Sequence, residues 1–272
     1  MTEYLINDRL SFQRFLGLSL GEKVPDAKTI WLFRENLTKS GASKELFDLF
    51  GRQMQDKGII TRSGSIVDAS FVDAPKQRNT REENKAIKEG NGDGLWKDNL
   101  HKCRQKDKDA RWAKKNDQTH YGYKDHIKVD RDSKIITDYS VTDAAVHDSR
   151  EIAGLIDNND KEVYGDSAFA GEALQKGILE KNPGLRLKIN EKGYRNKPLT
   201  QGQKANNREK SKIRARVEHI FGHMTNSYGG MFIRTIGITR AKCQIGLKNL
   251  AYNLQRYECL TRLKKVALAY QG

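Results

Sequence analysis

A mixed α/β domain preceded by a helical region is the fold class this sequence predicts, on three observations. Through about the first sixty residues the apolar period is helical, with Phe12, Phe15 and Leu16, then Ile30, Phe33 and Leu37, at three- and four-residue spacing. At "GSIVDASFVDA" the period changes to alternation, the pattern of a strand with two unlike faces. From there the chain reads strand, insertion, strand, strand, helix, strand, helix, strand, helix. An antiparallel hairpin beside strand–helix units on one sheet makes a mixed α/β arrangement.

Taken in order, "VPDAKTI" and "KSGAS" break the opening helices. In the first strand Ile66, Asp68, Ser70 and Val72 face one way and Val67, Ala69 and Phe71 the other, and Pro75 ends it. Residues 75–120 are dense in charge and poor in core formers, with Gly90, Gly92 and Gly94 and then "KCRQKDKDARWAKK". They are expected to form a basic insertion or long loop, helical around Asp107 to Lys115 and in part disordered. "GYKDHIKVD" and "KIITDYSVT", joined by "RDS", give a hairpin signal. "HDSREIAGLID" predicts a helix capped by Asp148 or Ser149. "EVYGDSAF" predicts a short strand ending at Asp166, "GEALQKGILEKN" a helix closed by "NPG", and "LRLKIN" the last strand. A long helix is expected from about Lys204 through Glu218 to "SYGG", and a C-terminal helical region from "ITRAKC" onward. The expected domains are a helical region over 1–62, a catalytic core over 63–228 and a C-terminal helical region over 229–272.

The loudest compositional signal is charge: 50 Lys+Arg against 35 Asp+Glu, net +15. Such a field favours a polyanion, nucleic acid before an anionic membrane. No apolar run approaches the ~18 residues of a membrane span, and the opening residues lack the apolar segment of a signal peptide. A soluble intracellular protein is therefore expected. Cys103, Cys243 and Cys259 are odd in number, far apart and without a CxxC pair, which reads as reduced thiols and not a zinc site.

Three separated carboxylates carry the candidate chemistry. Asp68 sits mid-strand, where a carboxylate costs several kcal/mol unless it is paired or metal-bound; the bland alternative is an edge-strand Asp facing solvent. Asp73 faces the opposite side and is the weaker candidate. Asp166 ends a strand, and ligands bind at strand C-terminal ends in open α/β sheets, although a turn or cap role is also common. On a helix at about 100° per residue, Ile213, Val217, Ile220, Phe221 and Met224 form the buried stripe. Glu218 falls on its border with Arg214 and Thr225, half-buried, while His219 and His223 face solvent or DNA on the far side. Three acids without a Cys/His set suit Mg²⁺ or Mn²⁺. Two such ions about 4 Å apart promote in-line attack on phosphorus. From Lys181 to Thr225 there are 12 Lys+Arg against 3 Asp+Glu, so the densest positive field adjoins Glu218.

"SIVDASFVDAP", "RQKDKDARWAKK", "YGYKDHIKVD", "VTDAAVHDS", "YGDSAFAG", "RARVEHIFG" and "GLKNLAYNLQR" resemble, in order, blocks of bacterial insertion-sequence transposases of the Asp-Asp-Glu (DDE) class, the insertion sequence five family in particular. "LINDRLSFQRFLGLSL" and "VPDAKTIWLFRENL" are similar to its helical leader. The resemblance implies a ribonuclease-H-like core with Asp68 on the first strand, Asp166 after the fourth and Glu218 on a late helix, all three catalytic and metal-binding. It implies cleavage of double-stranded DNA at inverted-repeat ends, joining of 3′-hydroxyls to target DNA with two Mg²⁺ or Mn²⁺ ions, and a homodimer on DNA in the cytoplasm, associated with the nucleoid. Arg214, Arg216, Lys210, Lys212, Arg208, Lys188 and Lys124 are the expected DNA contacts, and residues 1–62 the expected DNA-binding and dimerisation region. The family's signature places Tyr three residues before Arg214 and Lys seven after Glu218, where this chain has Ser211 and Thr225. End binding then falls to neighbours such as Lys210, Lys212 or Arg216. Relatives carry more residues before "YLINDRLSF", so a shortened reading is expected. A ribonuclease-H-like nuclease without strand transfer, and a DNA-binding remnant without catalysis, stay open as alternatives; a glycosidase reading of the carboxylates leaves the charge unexplained.

Overall fold

A computed structural model describes residues 2–269, with side chains to Leu263. The chain divides into two compact units, Met1–Ser43 and Lys44–Gly272. The first holds α1 (Thr2–Asp8), α2 (Leu10–Phe15) and α3 (Ala27–Ser40). Asp26 caps α3 by accepting from the Thr29 N–H at 2.7 Å, and Gly41, left-handed at φ 74°, ends it.

The division falls in the first turn of α4 (Ala42–Asp56), and the second unit is built on one six-stranded sheet: β1 (Ser65–Asp73), β2 (Arg111–Lys115), β3 (Gln118–Asp130), β4 (Ile136–Asp143), β5 (Glu162–Gly165) and β6 (Arg186–Ile189). β1 pairs antiparallel with β3 and parallel with β5, and β6 extends the sheet parallel to β5. The far edge of β3 carries β4 along one part and β2 along another. This is the mixed α/β arrangement that the period changes predict.

The two faces of β1 feed two cores. Ile66 and Val72 join a core with Val217, Ile220 and Met224 of α9 (Gln201–Ser227) and Ala241 and Ile245 of α10 (Ile238–Ala269). Val67 joins a second with α7 (Ile152–Leu155) and α8 (Glu172–Lys181). The alternation therefore assigns Asp68 to the face covered by α9. The helical stripe is as expected: Val217, Ile220 and Met224 are fully buried and Ile213 and Phe221 pack beside them.

Two local expectations are corrected. The segment expected to be helical around Asp107 to Lys115 is instead a loop followed by β2, and the helices of the insertion lie before it, α5 (Arg81–Lys88) and α6 (Leu100–Gln105). Asn116 and Asp117 take φ 48° and 61°, the two left-handed residues of a tight hairpin turn, and pair β2 with the start of β3. The helix read over "HDSREIAGLID" shrinks to α7 after a 3-10 turn at Asp148–Arg150, and His147 caps that turn. Asp148 is unavailable as a cap because its carboxylate takes the Lys124 ammonium at 2.8 Å.

On the face of β3 opposite α9 and α10, Lys128 is almost fully buried between Asp157 (2.9 Å) and Asp160 (3.0 Å), and Asp160 also accepts from Ser65. Lys128→Met leaves Asp160 buried without its cation. It is expected to cost about 3–5 kcal/mol in urea unfolding; a loss under about 1 kcal/mol would show the network to be weakly coupled to folding.

Candidate active site

Parallel pairing brings the first two carboxylates together. Ser65 and Ile66 of β1 lie opposite Val163 and Tyr164 of β5, so two residues further along both chains Asp68 comes level with Asp166. Asp166 begins where β5 ends. Its Oδ1 accepts from the Ala168 N–H at 2.8 Å and caps the 3-10 turn Ser167–Phe169, so the cap role and the site role coexist. Gly165 makes this close passage possible: a Cβ there would lie 2.7 Å from Phe169 and 2.9 Å from Ile189. Gly165→Ala is expected to cost about 1–3 kcal/mol through overpacking. Gly177→Ala, on α8 with open space around it, is expected to be neutral or slightly stabilising. Chemical denaturation of both variants checks the pair.

Asp68 is largely shielded from solvent. Burial pushes its carboxyl above the ordinary carboxylate range, the Arg214 guanidinium and the Ala69 N–H pull it back, and Asp166 raises it again. Arg214 Nη2 meets Asp68 Oδ2 at 3.2 Å, while its buried Nε–H has no partner. Two neighbouring carboxylates with oxygen donors only, one of them held up chiefly by burial, fit a hard divalent cation.

Glu218 departs from its expected place. It is exposed, not half-buried, and among the described residues no group of three or more His, Cys, Asp or Glu is assembled that could hold a metal ion. The reason lies in the roll of α9. Arg214 and Glu218 share one border of the buried stripe, but Arg214 turns in, where its charge answers Asp68. A third carboxylate there would add repulsion. His223 is corrected too: it packs on α10, its Nε2 2.9 Å from Gln255 Oε1, instead of facing outward. His219 is exposed, 3.4 Å from Lys134 Nζ.

Of the expected DNA contacts, Lys188, Lys210, Lys212 and Arg216 line one open groove of about 580 Å³ between β5, β6 and α9, with Glu162 and Glu209 in its wall. Lys210 donates to the Ile189 carbonyl (2.8 Å), Arg216 to the Arg131 carbonyl (2.6 Å), and Lys212 pairs with Glu209 (2.6 Å). Arg208 is exposed on the outer side of α9. Lys124 does not fit the expectation. Its ammonium is buried against Asp148 and the Val146 carbonyl and lies over the Phe71 ring, so its charge is answered within the protein.

The sequence reading missed the β2–β3 hairpin, whose signal was present: Asn116-Asp117 between the alternating "RWAKK" and "QTHYGY". It also missed the buried Asp125–Asn249 pair on the α10 side of β3, where Asn249 Nδ2 donates to Asp125 Oδ1 at 3.2 Å.

Among the described residues no helix is long and apolar enough to cross a membrane. No solved structure matches the chain. Residues 1–36 match the family model described as Transposase domain (DUF772). Residues 60–254, a span that contains Asp68, Asp166, Glu218 and the whole sheet, match the model described as Transposase DDE domain, and the chain belongs to that family of transposases.

Proposed function

We propose that this chain cuts double-stranded DNA at the inverted-repeat ends of an insertion sequence, in the manner of the insertion sequence five family, and joins the freed 3′-hydroxyls to target DNA. The observation that carries the reading is the placing of Asp68, in the middle of β1, level with Asp166, just past the C-terminal end of the parallel strand β5. The strand order β4-β3-β1-β5-β6, with the first three antiparallel and the last two parallel to β1, supports a ribonuclease-H-like core.

Asp68 and Asp166 are the proposed holders of Mg²⁺ or Mn²⁺, two ions in the full site, with Glu218 the third ligand. Bound divalent ions supply a Lewis acid that activates the attacking oxygen and stabilises the leaving one. The chain's own residues do the rest. Arg214 balances Asp68 until phosphate arrives and then turns its guanidinium, with the unpartnered Nε–H, to the DNA backbone. Glu218, one helical turn on, takes the place it leaves. Lys188, Lys210, Lys212, Arg216 and Arg208 hold phosphates without reading sequence. Residues 1–62 are the proposed DNA-binding and dimerisation region, 63–228 the catalytic core and 229–272 a helical region packing on it. The protein would act as a homodimer at the nucleoid.

Incubation of the full chain with a labelled duplex carrying the element's terminal repeats tests this. Cleavage is expected with Mg²⁺ or Mn²⁺, none with a chelator, and a free 3′-hydroxyl at the repeat end. Binding without cleavage under any divalent ion would sink the catalytic reading and leave a DNA-binding remnant in which Glu218 stays exposed. Cleavage without joining to target would leave a nuclease.

A further inference from the structure

The row of polar residues that begins with Asp68 and Asp166 continues one strand further, to Asn190. β6 pairs parallel with β5, Tyr164 opposite Lys188 and Gly165 opposite Ile189. The Asn190 N–H carries that ladder one step on by donating to the Gly165 carbonyl at 3.2 Å. Asn190 is therefore level with Asp166 on one side as Asp68 is on the other, with about 4.8 Å between neighbouring strands. Paired residues of parallel strands point to one side of the sheet. Tyr164 and Lys188, two residues back from Asp166 and Asn190, both line the groove under α9, so Asp166 and Asn190 belong to that face, with Asp68. α9 meets the row at both ends. Arg214 reaches Asp68 at 3.2 Å, and Ser211, one turn earlier, accepts from Asn190 Nδ2 at 3.1 Å.

With its amide nitrogen held by Ser211, Asn190 keeps its Oδ1 buried and without a partner. An acceptor left so is costly and calls for a ligand. Beside a carboxylate, the ligand that suits it is a cation, and carboxamide oxygens serve with carboxylates around hard divalent ions. We propose that Asn190 is a further ligand of the divalent ion, its Oδ1 joining Asp166, and that Ser211 is the positioning residue that orients the carboxamide. This rests on the reading that Asp68 and Asp166 hold Mg²⁺ or Mn²⁺ and deepens it: a third oxygen stands in the row while Glu218 is still exposed outside it.

Calorimetric titration of the full chain with Mn²⁺, a short terminal-repeat duplex bound, tests the assignment. Asn190→Ala is expected to bind Mn²⁺ about tenfold more weakly than wild type, and Asn190→Asp at least as tightly as wild type. Duplex affinity and thermal melt should be unchanged in both. Asn190→Cys supplies a readout that a merely structural role would not move, because a thiolate at a ligand position takes the soft ion Cd²⁺. A cadmium–thiolate charge-transfer band beyond that of wild type is expected, and adding Asp166→Asn should weaken it. Wild-type Mn²⁺ affinity in Asn190→Ala overturns the inference. If Asp166→Asn lowers that affinity in the same series, the metal reading stands without Asn190; if it too has no effect, both fall. Loss of duplex affinity at unchanged Mn²⁺ affinity also overturns the inference and assigns the carboxamide to a phosphate.

Discussion

Asp68→Asn is expected to lower cleavage of a terminal-repeat duplex by about 10³-fold or more, while affinity for that duplex stays within about threefold. The split follows from where charge sits. The Lys and Arg side chains of the groove hold the backbone, and they are untouched. What the substitution removes is the negative charge opposite Asp166, the charge that makes the pair a cation site. Arg214 retains an amide oxygen to donate to, so the fold is expected to survive, and a thermal melt checks this. Equal losses in binding and cleavage would mean that Asp68 shapes the DNA surface. Unchanged cleavage would remove it from the chemistry.

The largest expected gain in stability comes from Asp125→Asn. Asp125 is 1% exposed on β3, and its Oδ2 and the Oδ1 of Asn249 are both buried without partners. Burial pushes its carboxyl up to about 7, against the pull of Asn249 and of the Lys248 charge. The unfolded chain titrates near 3.8. A folded value above the unfolded one means that folding takes up a proton. The stability tied to that proton is therefore whole below about 3.8, falls as pH rises, and is lost above about 7, a swing of about 4 kcal/mol. The substituted amide carries no charge at any pH and donates to the unpaired Asn249 Oδ1, so both orphan positions are answered. At pH 8 the melting temperature is expected to rise by about 8–15 °C, with little change at pH 4. The same shift at both pH values, or a fall at pH 8, would show that Asp125 is held ionised by charges the geometry does not reveal.

How far the sequence could be read depended on periodicity. The alternation around Asp68 placed it on the side of Ile66 and Val72, and both sit in the core under α9. The stripe Val217, Ile220 and Met224 was equally legible because one helix face suffices to define it. Arithmetic on a lone helix, however, fixes only which residues share a border. Whether Arg214 or Glu218 turns inward depends on the charge it meets across the gap, here Asp68, 146 positions away in sequence. Lys124 failed for the same reason: a lysine in a basic chain reads as a DNA contact until the turn carrying Asp148 folds back onto it. Asp125–Asn249 lies 124 residues apart, and neither side chain signals its partner locally. In the hairpin, the density of charge masked a two-residue turn that was there to be read.

Manganese binding followed by electron paramagnetic resonance tests the metal site without relying on turnover. The full chain, with a short terminal-repeat duplex, is titrated as wild type and as Asp166→Asn. If Asp68 and Asp166 hold the divalent ion together, wild type binds Mn²⁺ and the variant loses at least about tenfold in affinity, with its DNA binding intact. Equal Mn²⁺ affinity in the two proteins would place the ion elsewhere and contradict a site built on this pair.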